Sequence, residues 1–390
     1  MLNTHPMHRE QKLLFSKWGL DMSIYRKKRI WVTLLCIMVS SMASADYIMM
    51  CTFFGGPTAK VFNISDDGDI TFSYSIDVTQ GGEPLALELA PNGRWGLVGC
   101  NTTYYPLTQI TTVLGIDSNR HIFVSGTVYN DNQYLVAISP DSKYGVYGYD
   151  LQTLKMNLDG SYEVIPSPYD ELLATNADFS ILNGNLYCHD PVRDHTPYQY
   201  FVNEYQINCD GIPASTGESV EITPSRAADL EISPDGRTCI AVGVPEYEIS
   251  VLRIHEQGGL SLTQQFETSS ADPRVVDFTP DSRYAIISFI WWNLNMRSFR
   301  IENHSQLTEV SAITLPYDAG EDMAVTPDGK FAITRALVSY GSLFYVVRIH
   351  DDGTLEHLPD KDYVCSGHVS DMAFVPPRIT AAEGVWNMYE

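Results

Sequence analysis

Apolar and polar residues alternate along most of this chain in short runs, and a turn of constant chemistry interrupts the runs at near-regular intervals. The full form reads Leu230-Glu231-Ile232-Ser233-Pro234-Asp235-Gly236-Arg237, with close copies at Leu87–Arg94, Val136–Lys143, Val276–Arg283 and Met323–Lys330. A degenerate copy occupies Phe179-Ser180-Ile181-Leu182-Asn183-Gly184, and a truncated one Met372-Ala373-Phe374-Val375-Pro376. With Leu182 in the third proline slot, the intervals are 49, 42, 52, 46, 47 and 49 residues. Alternation at period two predicts strands, and no segment sustains a helical apolar period. A second turn recurs independently after Ile64, Ile116, Met156, Ile207, Ile254, Ile301 and Ile349, often closed by Gly four residues later. Glycine there accepts the positive φ that a tight hairpin demands.

Two hairpins per unit make four strands, a to d, and a supersecondary unit repeating at this spacing is a propeller blade. The fold class predicted is therefore all-β: seven four-stranded antiparallel blades in a ring. Tyr47-Ile48-Met49-Met50-Cys51 has no first turn before it, while the copy at Pro376 has a strand a and nothing to follow. Strand a from the C-terminus thus completes a blade begun at the N-terminus, which hides edges that would otherwise invite aggregation.

The segment before Tyr47 has a different character. Arg26-Lys27-Lys28-Arg29, the apolar run Ile30–Val39 and Ala43-Ser44-Ala45 form a secretory signal cleaved after Ala45, with Met22 as the expected start. Residues 1–45 are thus a leader, 46–378 the propeller and 379–390 a tail. The apolar run is too short for an ordinary spanning helix, so no transmembrane segment is expected. Export to the periplasm or the exterior follows. The leader takes seven of the 25 basic and two of the 48 acidic residues, leaving 18 against 46, a net charge of −28. A field of that sign excludes nucleic acid and anionic membranes as partners.

Six cysteines remain after the leader, and six permit 15 pairings. Register brings Cys188 and Cys209 into one blade, and Cys51 and Cys100 to matching positions in neighbouring blades. The alternative is that several are small buried apolar residues. No close cysteine spacing suggests zinc, no acidic turn has the ligand spacing of a calcium loop, and no phosphate loop or hydrolase elbow is present. Neither metal nor cofactor is expected.

The Pro-Asp-Gly strand pairs, together with Val347-Arg348-Ile349-His350-Asp351-Asp352-Gly353-Thr354-Leu355 and Val251-Leu252-Arg253-Ile254-His255, resemble the seven-bladed lactonase family. That family holds 6-phosphogluconolactonase-like enzymes and grades into YVTN-repeat propellers. The resemblance spans about residues 47–378. It implies Gly-Pro-Arg-His before one strand pair and Asn-Glu at the end of the next strand. Here Ala271-Asp272-Pro273-Arg274-Val275 keeps the arginine and loses the histidine, and the Asn-Glu slot reads Phe289-Ile290. Acid–base opening of a lactone needs a titratable group at the ring oxygen, which Val275 and Ile290 do not supply.

Two functions of different class follow. The first is a binding module that takes a small molecule, glycan or protein on the rim formed by the b–c and d–a loops. Tyr104, Tyr105, Trp291 and Trp292 offer stacking area there, with Arg335 and His368 as polar partners. His189-Asp190-Pro191-Val192-Arg193-Asp194-His195 adds His189, Arg193 and His195, read as a solvated loop. The second is a lactone hydrolase with a rearranged catalytic set of Arg274, Asp272 and Glu321.

Overall fold

The computed structural model describes residues 47–377 apart from short loop segments at 80–81, 103–108, 131–134, 149, 158, 170–176, 194–199, 223–226, 244–247, 269–270, 291–294, 304, 318 and 340. The expected signal sequence and tail lie outside the described residues. Twenty-nine strands make seven sheets, with no helix among the described residues. Blade I joins β29 (Val369–Val375) to β1 (Tyr47–Phe53), β2 (Thr58–Ile64) and β3 (Ile70–Asp77). Blade II is β4 (Gly82–Leu89), β5 (Trp95–Thr102), β6 (Gln109–Ile116) and β7 (Ile122–Asn130). Blade III is β8 (Val136–Ile138), β9 (Tyr144–Tyr147), β10 (Gln152–Met156) and β11 (Tyr162–Ile165). Blade IV is β12 (Asp178–Leu182), β13 (Asn185–Arg193), β14 (Tyr200–Ile207) and β15 (Pro213–Ile222). Blade V is β16 (Ala227–Ile232), β17 (Thr238–Gly243), β18 (Glu248–Ile254) and β19 (Leu260–Glu267). Blade VI is β20 (Asp272–Phe278), β21 (Tyr284–Ile290), β22 (Met296–Glu302) and β23 (Gln306–Ile313). Blade VII is β24 (Ala319–Val325), β25 (Phe331–Val338), β26 (Gly341–Ile349) and β27 (Leu355–His357), with β28 (Tyr363–Ser366) also on β26.

The seven first strands touch in an unbroken circle, β29 to β4, β8, β12, β16, β20, β24 and back to β29. Ring closure by the chain ends is as the sequence predicts: Ile48–Phe53 pair antiparallel with Val375–Val369.

Each Pro-Asp-Gly turn is held by its own side chains. In blade V the Asp235 Oδ1 accepts the Arg237 N–H at 3.1 Å and the Ser233 hydroxyl at 2.6 Å, while Ser233 Oγ accepts the Thr238 N–H at 3.0 Å. Blades VI and VII repeat this with Thr279/Asp281 and Thr326/Asp328. Ser142 (φ 59°) and Ser282 (φ 57°) adopt the left-handed conformation where the other copies use Gly. Their hydroxyls compensate by accepting N–H groups from the preceding blades, Asn92 at 3.0 Å and Asp235 at 2.9 Å.

The outermost strand of blade VII comes in two pieces. Blades I, II, V and VI place a bulge between strands c and d at the matching position, as at Val251/Leu252. In blade VII the bulge widens into an excursion through Leu358–Asp362 between β27 and β28. Gly341, at the start of β26, meets β28 so closely that an added Cβ would lie 2.1 Å from the Cys365 carbonyl oxygen. We expect Gly341→Ala to cost about 1–3 kcal/mol, seen as a lower midpoint in urea unfolding; an unchanged midpoint would show that β28 detaches freely.

The apolar core lies between blades rather than within them. Seven clusters each mix two neighbours; Met49, Phe62 and Phe374 of blade I, for example, pack on Phe331, Phe344 and Val346 of blade VII. The remaining interfaces follow the same plan around the ring. Of the six described cysteines, Cys51, Cys100, Cys239 and Cys365 are buried free thiols, Cys188 is buried too, and Cys209 is exposed. Burial pushes the Cys100 thiol up to about 12 and Cys51 and Cys239 well above the usual thiol range. The buried-apolar reading of these residues therefore prevails over pairing.

Candidate functional site

Because seven first strands line the axis, both faces of each are inside the protein, and a polar position in their alternation points to a neighbour or to the channel. Five of them carry aspartates there. Asp178, Asp229, Asp277 and Asp371 each accept the N–H of the following residue on one oxygen: Phe179 at 2.6 Å, Leu230 at 2.9 Å, Phe278 at 2.6 Å and Met372 at 2.7 Å. The other oxygen accepts an N–H of the next blade: Ile232 at 2.6 Å, Val276 at 2.9 Å, Val325 at 2.6 Å and Leu87 at 2.6 Å. These aspartates are therefore latches between blades. Asp322 follows the first half of the pattern, accepting Met323 N–H at 2.9 Å.

Glu88 and Glu231 join the set from β4 and β16. Asp178, Asp229, Asp277, Asp371, Glu88 and Glu231 keep part of their surface accessible, while Asp322 is 7 % exposed. Carboxylates on non-adjacent inner strands raise one another, Asp229 acting on Asp322 and Asp277 on Glu88. Burial, ahead of this repulsion, lifts Asp178, Asp277 and Asp371 to about 7, and burial alone lifts Asp229 to about 6. Asp322, Glu88 and Glu231 rise well above the ordinary carboxylate range for the same reason. The positive charge of Arg335, itself 5 % exposed, bears on Asp322 and Asp371.

The rim residues named from sequence fall into three groups. Asp272 and Arg274 begin β20, Glu321 lies in the first residues of β24, and exposed His368 precedes β29. Since β20, β24 and β29 are successive inner strands, these positions share one sector of the channel mouth. Arg274 Nη2 and Asp272 Oδ2 are 3.8 Å apart, and the other Asp272 oxygen is buried without a hydrogen-bond partner. Burial raises the Asp272 carboxyl, with Arg274 opposing. On the same face Phe54 and Tyr317 are 46 % and 71 % exposed.

The second group sits inside. Arg335 belongs to buried β25 rather than to an open rim. His189 is fully buried in β13, opposite Asp178, with Nε2 2.9 Å from Ser180 Oγ. The loop expected to start at His189 begins only after Arg193, because β13 continues to pair with β14 through that residue. His189 therefore has no surface to offer a ligand, and burial pushes its imidazole down to about 3, keeping it neutral. Third, Tyr104, Tyr105, His195, Trp291 and Trp292 lie outside the described residues.

No group of three or more His, Cys, Asp or Glu side chains among the described residues is arranged to hold a metal ion. The carboxylate channel escaped the sequence reading because isolated acids in alternating strands read as solvent-facing. The available signal was their recurrence at three or five positions before the turn proline, as in Glu231 and Asp229 before Pro234.

No protein-family model matches this chain, and no curated protein matches it. Solved structures do. The periplasmic gluconolactonase of Pseudomonas aeruginosa superposes with a TM-score of 0.66 at 16 % identity, over 84 % of this chain and 98 % of that one. A Bacteroides fragilis protein described as a candidate 6-phosphogluconolactonase gives 0.66 at 16 % identity, over 85 % and 99 %. What the chain shares with these lactonase-like proteins is the seven-bladed propeller fold.

Proposed function

We propose that this chain is an exported, lactonase-like propeller that acts as a binding module through the face carrying Phe54, Tyr317 and the loop aromatics, and that it does not hydrolyse lactones. One observation carries the reading. The positions where the resemblance implies histidine and glutamate hold Val275 and Ile290, and Ile290, at the end of β21, is 4 % exposed. Neither exchanges a proton, so the reaction would lack its acid–base group. Rings at the mouth supply contact area at low entropic cost, and the leader-like segment together with a periplasmic structural neighbour supports export.

The Arg274–Asp272 pair favours a second reading, lactone hydrolysis by a rearranged site. A carboxyl whose proton affinity is raised by burial, beside an arginine, combines a proton carrier with a group that would stabilise a developing oxyanion. A panel of aldonolactones and their 6-phosphates, assayed with purified protein, separates the two. We expect turnover no faster than the spontaneous rate. Rapid hydrolysis that falls at least 100-fold in Arg274→Ala would replace the binding reading with the enzymatic one.

A further inference from the structure

The face of the ring opposite the rim carries the a–b and c–d turns, and a cavity opens there between blades VII and I. Its volume of about 700 Å³ is in the range that holds small ligands. A change of residue at one repeat position leaves it open. At two other junctions, the residue after the basic end of the a–b turn is a tyrosine whose hydroxyl seals the gap to the next blade. Tyr144 donates to the Cys209 carbonyl at 3.0 Å, and Tyr284 to the Asp351 carbonyl at 3.3 Å. Arg283 Nη2 reinforces the second seal at 3.1 Å. In blade VII the repeat puts Phe331 at this position, opposite Asp66 of blade I. The correspondence holds in space, since Gly68 packs on the Phe331 ring as Gly211 and Gly353 pack on Tyr144 and Tyr284. Phe331 has no hydroxyl to give, and Lys330 folds back on its own turn, with Nζ 2.8 Å from Asp328 Oδ2.

The cavity wall is bipolar. Its cations are Lys330 and Arg348, and each also holds an acid of its own blade. Arg348 Nη1 lies 3.2 Å from Glu356 Oε2, an oxygen that His350 Nε2 shares at 3.3 Å. A lysine carries three N–H donors and an arginine five, so both keep donors for a ligand. The Arg348 guanidinium is further placed over the Phe331 ring, 5.9 Å from its centroid. On the acidic side are Asp66 and Asp351, whose carboxylates carry no hydrogen bond or ion pair among the described residues. Asp352 is occupied within its turn, where Oδ1 accepts the Thr354 N–H at 3.0 Å and hydroxyl at 2.6 Å. A simple anion would meet the two open carboxylates and the negative field of the whole protein. A simple cation would meet Lys330 and Arg348. A molecule bearing both charges satisfies both sides of the wall.

We propose that this cavity binds a small zwitterion, a free amino acid or short peptide. Its carboxylate is held by Lys330 and Arg348, and its ammonium by Asp66 and Asp351. The site lies on the far face from the rim and does not depend on what the rim binds.

Titration calorimetry of the full chain at pH 7 and low ionic strength tests this, with L-alanyl-L-alanine, its N-acetyl form and its C-terminal amide as probes. We expect saturable binding of the dipeptide and at least tenfold weaker binding of either blocked form. Lys330→Gln and Arg348→Gln alter side chains 60 % and 41 % exposed, so both should fold normally and lose tenfold or more in dipeptide affinity. Asp66→Asn should bring the dipeptide down toward the affinity of its N-acetyl form. Phe331→Tyr keeps every charge and offers Asp66 the missing hydroxyl. It should weaken binding at least tenfold by filling the cavity. A blocked form that binds as tightly as the dipeptide would overturn the proposal. Undiminished affinity in Phe331→Tyr or in the charge variants would do the same, as would no binding at all.

Discussion

A chain ending at Cys365 should show no cooperative melt, whereas the full chain melts in one transition. The truncation removes β29, and with it the inner strand of blade I and its pairing with Ile48–Phe53. It also removes Val369, Met372, Phe374 and Val375 from two interblade clusters. Fully burying such side chains contributes about 1.5–3 kcal/mol each, so the loss alone approaches the 5–15 kcal/mol that ordinarily separates folded from unfolded protein. Further links go at the same time: the Asp371 latch to Leu87 N–H, the Ser370 hydroxyl to the Pro84 carbonyl, and Arg120 Nη2 to the Val375 carbonyl. Because every core cluster spans two blades, an open ring exposes two half-cores at once. Adding a peptide of residues 366–390 in trans should restore part of the circular-dichroism signal. A truncated protein that melts as the full chain does would mean that six blades and three strands suffice, and the closure would not hold the ring.

How much of this was readable beforehand depended on whether a residue's meaning was local. The turns were legible because their chemistry is self-contained: Asp235 and Ser233 fix their own reversal. The irregular copy at Asn183-Gly184 also reads correctly, since Asn183 (φ 50°) and Gly184 (φ 77°) form the two-residue hairpin that this pair favours. Its brevity explains the uneven 42- and 52-residue intervals. His189 was misplaced because Pro191 signals the end of a strand. Beyond His189, however, β13 continues as a strand paired with β14 alone, through Pro191 to Arg193. The channel acids had meaning only after closure, when seven inner strands from distant parts of the chain met around one axis.

Stability should be greatest near pH 4–5 and decline toward pH 8, the reverse of the usual behaviour of paired surface carboxylates. Asp178, Asp277 and Asp371 move from an ordinary 3.8 to about 7 on folding, and Asp229 to about 6. Between those values the folded protein retains protons that the unfolded chain has released. Their contribution is thus fully present below about pH 4 and lost as pH rises through 7. His189 works in the opposite sense. Its imidazole falls from 6.5 to about 3 on folding, so its contribution is present above 6.5 and lost as pH drops toward 3. Four aspartates outweigh one histidine across the overlap. Water reaching the half-buried carboxylates screens part of the effect, and we expect a net loss of about 2–4 kcal/mol from pH 5 to pH 8, or about 4–8 °C in Tm. Glu231→Gln should flatten the alkaline limb by removing one opposing charge, and His189→Gln should flatten the acid limb. A Tm that is level or rises between pH 5 and pH 8 would mean that the channel acids stay ionised throughout, held by their backbone N–H groups against both burial and mutual repulsion.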